Sequence, residues 1–150
     1  MSWHHKGQEF TEDMIGDCYG FVYLITNKTN NRKYIGKKSF SKAGYKTVKG
    51  KKKKIRKTSD WLTYYGSNKE LQEEVSKIGA DNFHREILYL CNSRSECSYR
   101  ETMEIFARDA LLREDYYNAW CTVKIHKSHV LNKIAPYEIS FYRKLCCSAG

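Results

Sequence analysis

The sequence predicts an α+β domain: a three-stranded, mostly antiparallel sheet flanked by helices. Three observations carry this. Two aromatic and β-branched runs, GFVYLITN (20–27) and RKYIG (32–36), are joined by the Asn-rich turn KTNN. Apolar residues recur at helical spacing after Ser67 and again after Ser95. A third strand-like run, HREILYL at 84–90, lies between the two helical stretches. The order strand, strand, helix, strand, helix is satisfied by helices packed beside one sheet.

Each element has its own signal. Residues 1–18 read as a frayed N-terminal extension, which makes His4 and His5 poor ligands. The hairpin 20–36 places Tyr23 and Tyr34 on neighbouring antiparallel strands, where they can share a face. Residues 37–57 contain Gly44, Gly50 and a lysine run and read as a loop, with a helical turn near 37–42 as its one regular piece. Ser67 followed by Glu70 has capping-box spacing, so a helix is expected over 68–78. Gly79 is placed to end it. Leu71, Val75 and Ile78 form its inward face. A second helix is expected over 95–112, with Tyr99, Met103, Phe106 and Ala110 as its apolar stripe. The domain proper is taken as 19–120, with the basic insertion 37–57 inside it and 121–150 as a C-terminal extension. Within that extension 123–134 suits strand or loop, and YEISFYRKLCC suits a last helix.

The charge is concentrated. The chain has 27 Lys+Arg against 17 Asp+Glu, a formal net charge of +10. Residues 37–57 hold eleven of the basic residues and no acid, which leaves 16 basic against 17 acidic elsewhere. A block of like charge repels itself and stays open unless a polyanion neutralises it. Nucleic acid supplies such a partner through counterion release. A solvated loop and an anionic membrane surface are the alternatives.

Other classes are disfavoured. With 41% hydrophobic and 14% aromatic residues, the composition is that of a folded chain. No apolar run approaches the ~20 residues that span a bilayer, and residues 1–14 lack the apolar region of a signal peptide. A cytoplasmic protein without membrane partners is expected. Cys18, Cys91, Cys97, Cys121, Cys146 and Cys147 form no CxxC pair, so structural thiols are favoured over disulfides or zinc.

Several ordered pieces resemble the GIY-YIG nuclease family. Val22-Tyr23 followed by LITN, and then Tyr34-Ile35-Gly36 eleven residues on, look like its two-part signature. YYGSNKELQEEVSKIGADNFHREIL (64–88) is similar to the helix and third strand of phage-encoded members. YRETMEIF supplies a helical glutamate, and YYN (116–118) is similar to the close of the module. The resemblance covers 19–120. Phe21 stands where the first tripeptide usually has Gly, with Gly20 one place earlier. The arginine usual after the second tripeptide has no clean counterpart; Lys38 and Arg56 are the candidates.

The resemblance implies hydrolysis of DNA phosphodiester bonds with one divalent metal, Mg²⁺ or alternatively Mn²⁺, on a single glutamate. Mg²⁺ keeps most of its waters, so one carboxylate is chemically reasonable. Glu101 takes that role, with Glu104 as second choice; helical periodicity alone would leave both on a solvated face. Tyr23 and Tyr34, otherwise ordinary strand aromatics, would activate or orient the attacking water and bond a phosphate oxygen. A tyrosine titrates near pH 10 and serves as a base only where cations lower that value; Lys37 and Lys38 are expected to do so. Lys38 would neutralise the scissile phosphate. Asn118 would tie the module together or orient the glutamate. Lys37, Lys51, Lys52, Lys53, Lys54 and Lys57, with Arg56, would track backbone phosphates. No small-molecule cofactor is expected, and the chain would act as monomer or homodimer. Phage or mobile-element (homing-type) origin places it in a bacterial host's cytoplasm. A non-catalytic nucleic-acid-binding protein is the alternative.

Overall fold

The computed structural model describes residues 2–133 of the chain. The main sheet has five strands rather than three. They are β1 (Trp3–His5), β2 (Gln8–Phe10), β3 (Gly20–Asn27), β4 (Lys33–Ser39) and β7 (Phe83–Cys91), in the spatial order β2-β1-β7-β3-β4. β5 (Ser41–Val48) and β6 (Lys51–Thr58) form a separate two-stranded ribbon. The helices are α1 (Lys69–Ile78), α2 (Arg94–Ala107) and the short α3 (Lys127–Val130). The α+β class stands; the strand count does not. The last helix expected around YEISFYRKLCC, together with Cys146 and Cys147, lies outside the described residues.

The extra strands come from the segment expected to fray. β1 and β2 are an antiparallel hairpin, and β1 pairs parallel to β7. Lys6-Gly7 makes the two-residue turn with positive φ at both positions, 51° and 81°, the geometry that matches strand twist. Trp3 fixes the hairpin. It is 1% exposed and donates its indole N–H to the Trp61 carbonyl at 2.8 Å.

The basic segment is likewise not a loop. Lys49-Gly50, with φ of 48° and 73°, repeats the same turn and joins β5 to β6 in unbroken register from Ser41↔Thr58 to Val48↔Lys51. Long lysine stems are compatible with an exposed strand, because their charged ends stay in water.

β3 is the central strand and is buried along nearly its whole length. One face of the sheet carries Phe21, Tyr23, Ile25, Phe83 and Ile87, packed with Trp3, Phe10, Phe40, Trp61 and Leu71 of α1. The other carries Val22, Leu24, Ile35 and Cys91, packed against Cys97 and Ile105 of α2. Val75 and Ile78 join Leu71 on the inward side of α1, as the spacing predicts. The cap of α1 is shifted by one residue: Asn68, not Ser67, accepts the Leu71 N–H at 3.0 Å. Gly79 follows the helix with φ 91°.

α2 is rotated relative to the expected stripe. Of that stripe Tyr99 and Phe106 are exposed, at 39% and 61%, and Ala110, just past the helix, is buried; Glu96, Cys97, Arg100, Glu104 and Ile105 form the buried side of α2. Apolarity misleads here because i,i+4 ion pairs carry the inner face. Arg100 Nε lies 3.1 Å from Glu96, and Arg108 Nε lies 2.7 Å from Glu104. The helix ends before Asp109, which takes a left-handed φ of 51°. The cysteines at 18, 91, 97 and 121 are free thiols, with Cys91 and Cys97 in the core. No described helix is long and apolar enough to cross a membrane.

Candidate active site

β4 is an edge strand, and the chain returns to close part of that edge. Lys33 N–H donates to the Asp115 carbonyl at 2.9 Å, and Tyr117 N–H donates to the Lys33 carbonyl at 2.8 Å. One residue on, the Asn118 carboxamide replaces a strand: it accepts the Ile35 N–H at 2.9 Å and donates to the Ile35 carbonyl at 2.8 Å. The module-tying role expected of Asn118 therefore has a definite form. Tyr117 adds a second tie, giving its hydroxyl to Glu74 at 2.5 Å beneath the Arg32 guanidinium.

A cleft of about 360 Å³ opens at this edge, lined by Tyr23, Tyr34, Lys37, Ser67, Glu101 and Asn118 among others. Strand alternation explains who meets there. Tyr34, Gly36 and Lys38 point to the α1 side of β4; Ile35 and Lys37 point to the α2 side. The cleft straddles the sheet edge, so phenols from one face and a lysine and carboxylate from the other share one opening.

Tyr23 and Tyr34 do share a face, with ring centroids 6.2 Å apart. Tyr23 stands opposite Gly36 and is 1% exposed. A β-carbon at position 36 would collide with the Tyr23 phenol, so glycine is required there by close approach. Gly20 has a comparable reason: a β-carbon there would strike the Lys38 carbonyl of β4. The glycine at 20 is thus a strand-contact residue, and Phe21 beside it is a fully buried core residue.

The tyrosines are not activated as expected. Burial pushes the Tyr23 phenol well above its ordinary value, with the Tyr34 and Tyr64 phenols adding to it. Burial also raises Tyr34, partly offset by its 3.1 Å hydrogen bond with Ser67 Oγ. The lysines meant to lower them are engaged elsewhere. Lys37 Nζ bonds Glu101 Oε2 at 2.7 Å and Ser98 Oγ at 3.1 Å. Lys38 Nζ bonds Asp60 at 2.7 Å and sits 3.7 Å over the Tyr64 ring. These surroundings move both phenols away from the ionised form.

The carboxylates separate clearly. Glu104 is fully buried and accepts from Tyr89 Oη and Arg108 Nε, each at 2.7 Å; it braces the helix. Glu101 keeps 19% side-chain exposure and, among the described residues, is the only carboxylate lining the cleft. No group of three or more His, Cys, Asp or Glu suited to a metal occurs among the described residues. The cleft offers one carboxylate, Glu101, which suits a hard cation that retains most of its waters.

Arg56 and the lysines at 51–54 and 57 lie on the β5–β6 ribbon and do not line the cleft. Neither does Lys38. Sequence reasoning gave Lys37 a phosphate contact and a share in lowering the tyrosine phenols, not a carboxylate partner, and missed Ser67 and Ser98 as partners of the site. Alternation along β4 carries the Lys37 signal, since it puts residue 37 with Ile35 and toward α2.

The chain belongs to the GIY-YIG family: residues 3–121 match the family described as "Putative endonuclease segE, GIY-YIG domain". A curated relative, "Putative endonuclease segE" of Enterobacteria phage T4, is 35% identical over 101 residues, covering 67% of this chain and 40% of the relative. The chain thus spans about two fifths of that relative's length. No solved structure matches it. The match begins at residue 3, in agreement with β1 as part of the sheet.

Proposed function

We propose that this protein is a metal-dependent endonuclease that hydrolyses DNA phosphodiester bonds, of the phage or mobile-element (homing) type. The observation that carries the reading is the meeting of two phenols, one lysine and one carboxylate in the β4-edge cleft of a GIY-YIG chain. Glu101 would hold a divalent cation, Mg²⁺ or Mn²⁺. When bound, the ion supplies Lewis-acid stabilisation of the phosphate and of the departing oxygen.

The protein's own residues do the remaining work. Lys37 fixes the Glu101 carboxylate and adds positive charge where the phosphate gains negative charge. It takes the charge-neutralising role in preference to Lys38 or Arg56, because among the described residues it is the cation that lines the cleft. Tyr34 orients the attacking water with its phenol, and Ser67 Oγ holds that phenol in place. Tyr23, deeper in the wall, donates to a phosphate oxygen. Asn118 keeps the β4 edge rigid beneath them. The ribbon lysines grip the DNA backbone outside the site.

The test is plasmid cleavage by purified protein with Mg²⁺ and with EDTA, alongside Glu101→Ala. Cutting should require Mg²⁺ and fall at least roughly 10²-fold in the variant, while plasmid binding persists. Binding by the wild type with no cutting of any DNA substrate would leave the non-catalytic alternative.

A further inference from the structure

The β5–β6 ribbon carries nine cations between residues 41 and 58 and no acid. It is a sheet of its own, and only Ser41, Gly44 and Ile55 within its strands are even half-buried. At ~3.3 Å per residue each eight-residue strand is roughly 26 Å long. Its stem is firmly held. Phe40 and Trp61 flank it in the core, and Ser59 returns two hydrogen bonds, N–H to the Phe40 carbonyl at 2.9 Å and Oγ to the Ser39 carbonyl at 2.6 Å.

The register sorts the cations onto two faces. Lys42, Lys46, Lys51, Lys53 and Lys57 share one face with Gly44, Val48 and Ile55. Lys52, Lys54 and Arg56 share the other with Tyr45 and Thr47. On the first face Lys42 stands directly opposite Lys57, and Lys46 opposite Lys53. Like charges opposed across strands are destabilising, and a two-stranded hairpin is marginal by itself. The ribbon therefore folds against its own charge, and a polyanion relieves that repulsion.

A ribbon lying flat on a phosphate surface would use one cationic face. This ribbon has two. The site where phosphates flank both is a groove, and a DNA major groove about 12 Å wide admits a two-stranded ribbon whereas the minor groove at about 6 Å does not. The major groove of duplex RNA is too deep and narrow. β4 runs from the cleft residues Tyr34 and Lys37 through Ser39 and Phe40 into the ribbon, so a grip there sets the position of the DNA at the cleft.

We infer that the β5–β6 ribbon is an arm that enters the major groove of duplex DNA, with phosphates engaged by both of its faces at once. This rests on the reading of DNA as the partner. The test is equilibrium binding of the full chain to a random-sequence DNA duplex in EDTA, over a salt series. One variant replaces Lys42, Lys46, Lys53 and Lys57 with Gln; the other replaces Lys52, Lys54 and Arg56 with Gln. A melting temperature no lower than that of wild type verifies that the body is intact. Each variant should flatten the log K against log salt slope by about one unit or more and weaken binding roughly tenfold or more near physiological salt. The major-groove ligand methyl green should compete, and the minor-groove ligand netropsin should not. An effect confined to one face, no effect from either, or competition by netropsin alone would overturn the arm. Two-faced binding without Mg²⁺-dependent cutting would leave the arm and remove the nuclease; cutting with both faces silent would do the reverse.

Discussion

Tyr34 is the residue at which packing and chemistry meet. Its ring sits beside Tyr23 and against the Gly66 backbone, while its hydroxyl reaches Ser67 at the cleft. Burial keeps the phenol protonated, so its contribution is a hydrogen bond aimed into the cleft and not a standing negative charge. Tyr34→Phe removes that one group and leaves the ring packing intact. Losing one partner of a hydrogen bond at a partly exposed position costs about 1 kcal/mol of stability. Losing an orienting group for the attacking water costs far more in rate, roughly 10²-fold. Denaturant unfolding and cleavage measured on the same variant separate the two quantities. Full cleavage by Tyr34→Phe would take the hydroxyl out of the mechanism and return Tyr34 to the status of a packing residue.

At the scale of elements, the β4 edge is held by one side chain acting as a strand. Asn118→Ala leaves the Ile35 N–H and carbonyl without their partner at a partly buried edge. The cost should be about 1–3 kcal/mol, seen as a lower denaturation midpoint at constant m-value, and cleavage should fall with it because Ile35 lies between Tyr34 and Gly36. A variant as stable and active as wild type would mean that the Lys33–Tyr117 backbone pairing suffices. The strand 20–27, the first part of β4 up to Gly36, the helix 69–78 and the strand 83–91 were legible because apolar periodicity, an Asn-rich turn and a following glycine all agreed there; residues 37–39, read as loop with a helical turn, continue β4 instead. Where the signals conflicted, the sequence misled. Lys6-Gly7 and Lys49-Gly50 both make hairpin turns, yet lysine at positive φ is uncommon, and lysine-rich flanks look like solvated loop. In α2 the buried face mixes Glu–Arg pairs with Cys97 and Ile105, so a purely apolar stripe pointed at the exposed Tyr99 and Phe106. The tyrosines, Glu101 and Asn118 could be named from the resemblance. The Lys37–Glu101 pair could not, because it depends on which strand face α2 covers.

Residues 2–133 divide into a nearly neutral body and one cationic arm, and the buried core lies in the body. The N-terminal hairpin belongs to that body. Trp3 packs edge-on to Phe21 and Tyr23 at 5.0 and 5.2 Å, lies under the Arg85 guanidinium at 4.6 Å, and bonds the Trp61 carbonyl. It thereby links β1, the central strand β3, β7 and the stem of the arm. Truncating a buried aromatic of this kind costs about 3–5 kcal/mol. For a chain of this size that is a drop in Tm of roughly 10 °C or more. Trp3→Ala should show it by calorimetry, whereas Glu9→Ala, an exposed change on β2, should move stability by no more than about 0.5 kcal/mol. The effect should extend to the cleft, since Tyr23 loses one wall of its packing and Trp61 loses a tie at the arm's base. A Trp3→Ala protein that melts like wild type would mean that residues 3–10 dock without bearing on the core, and the domain would then begin at β3.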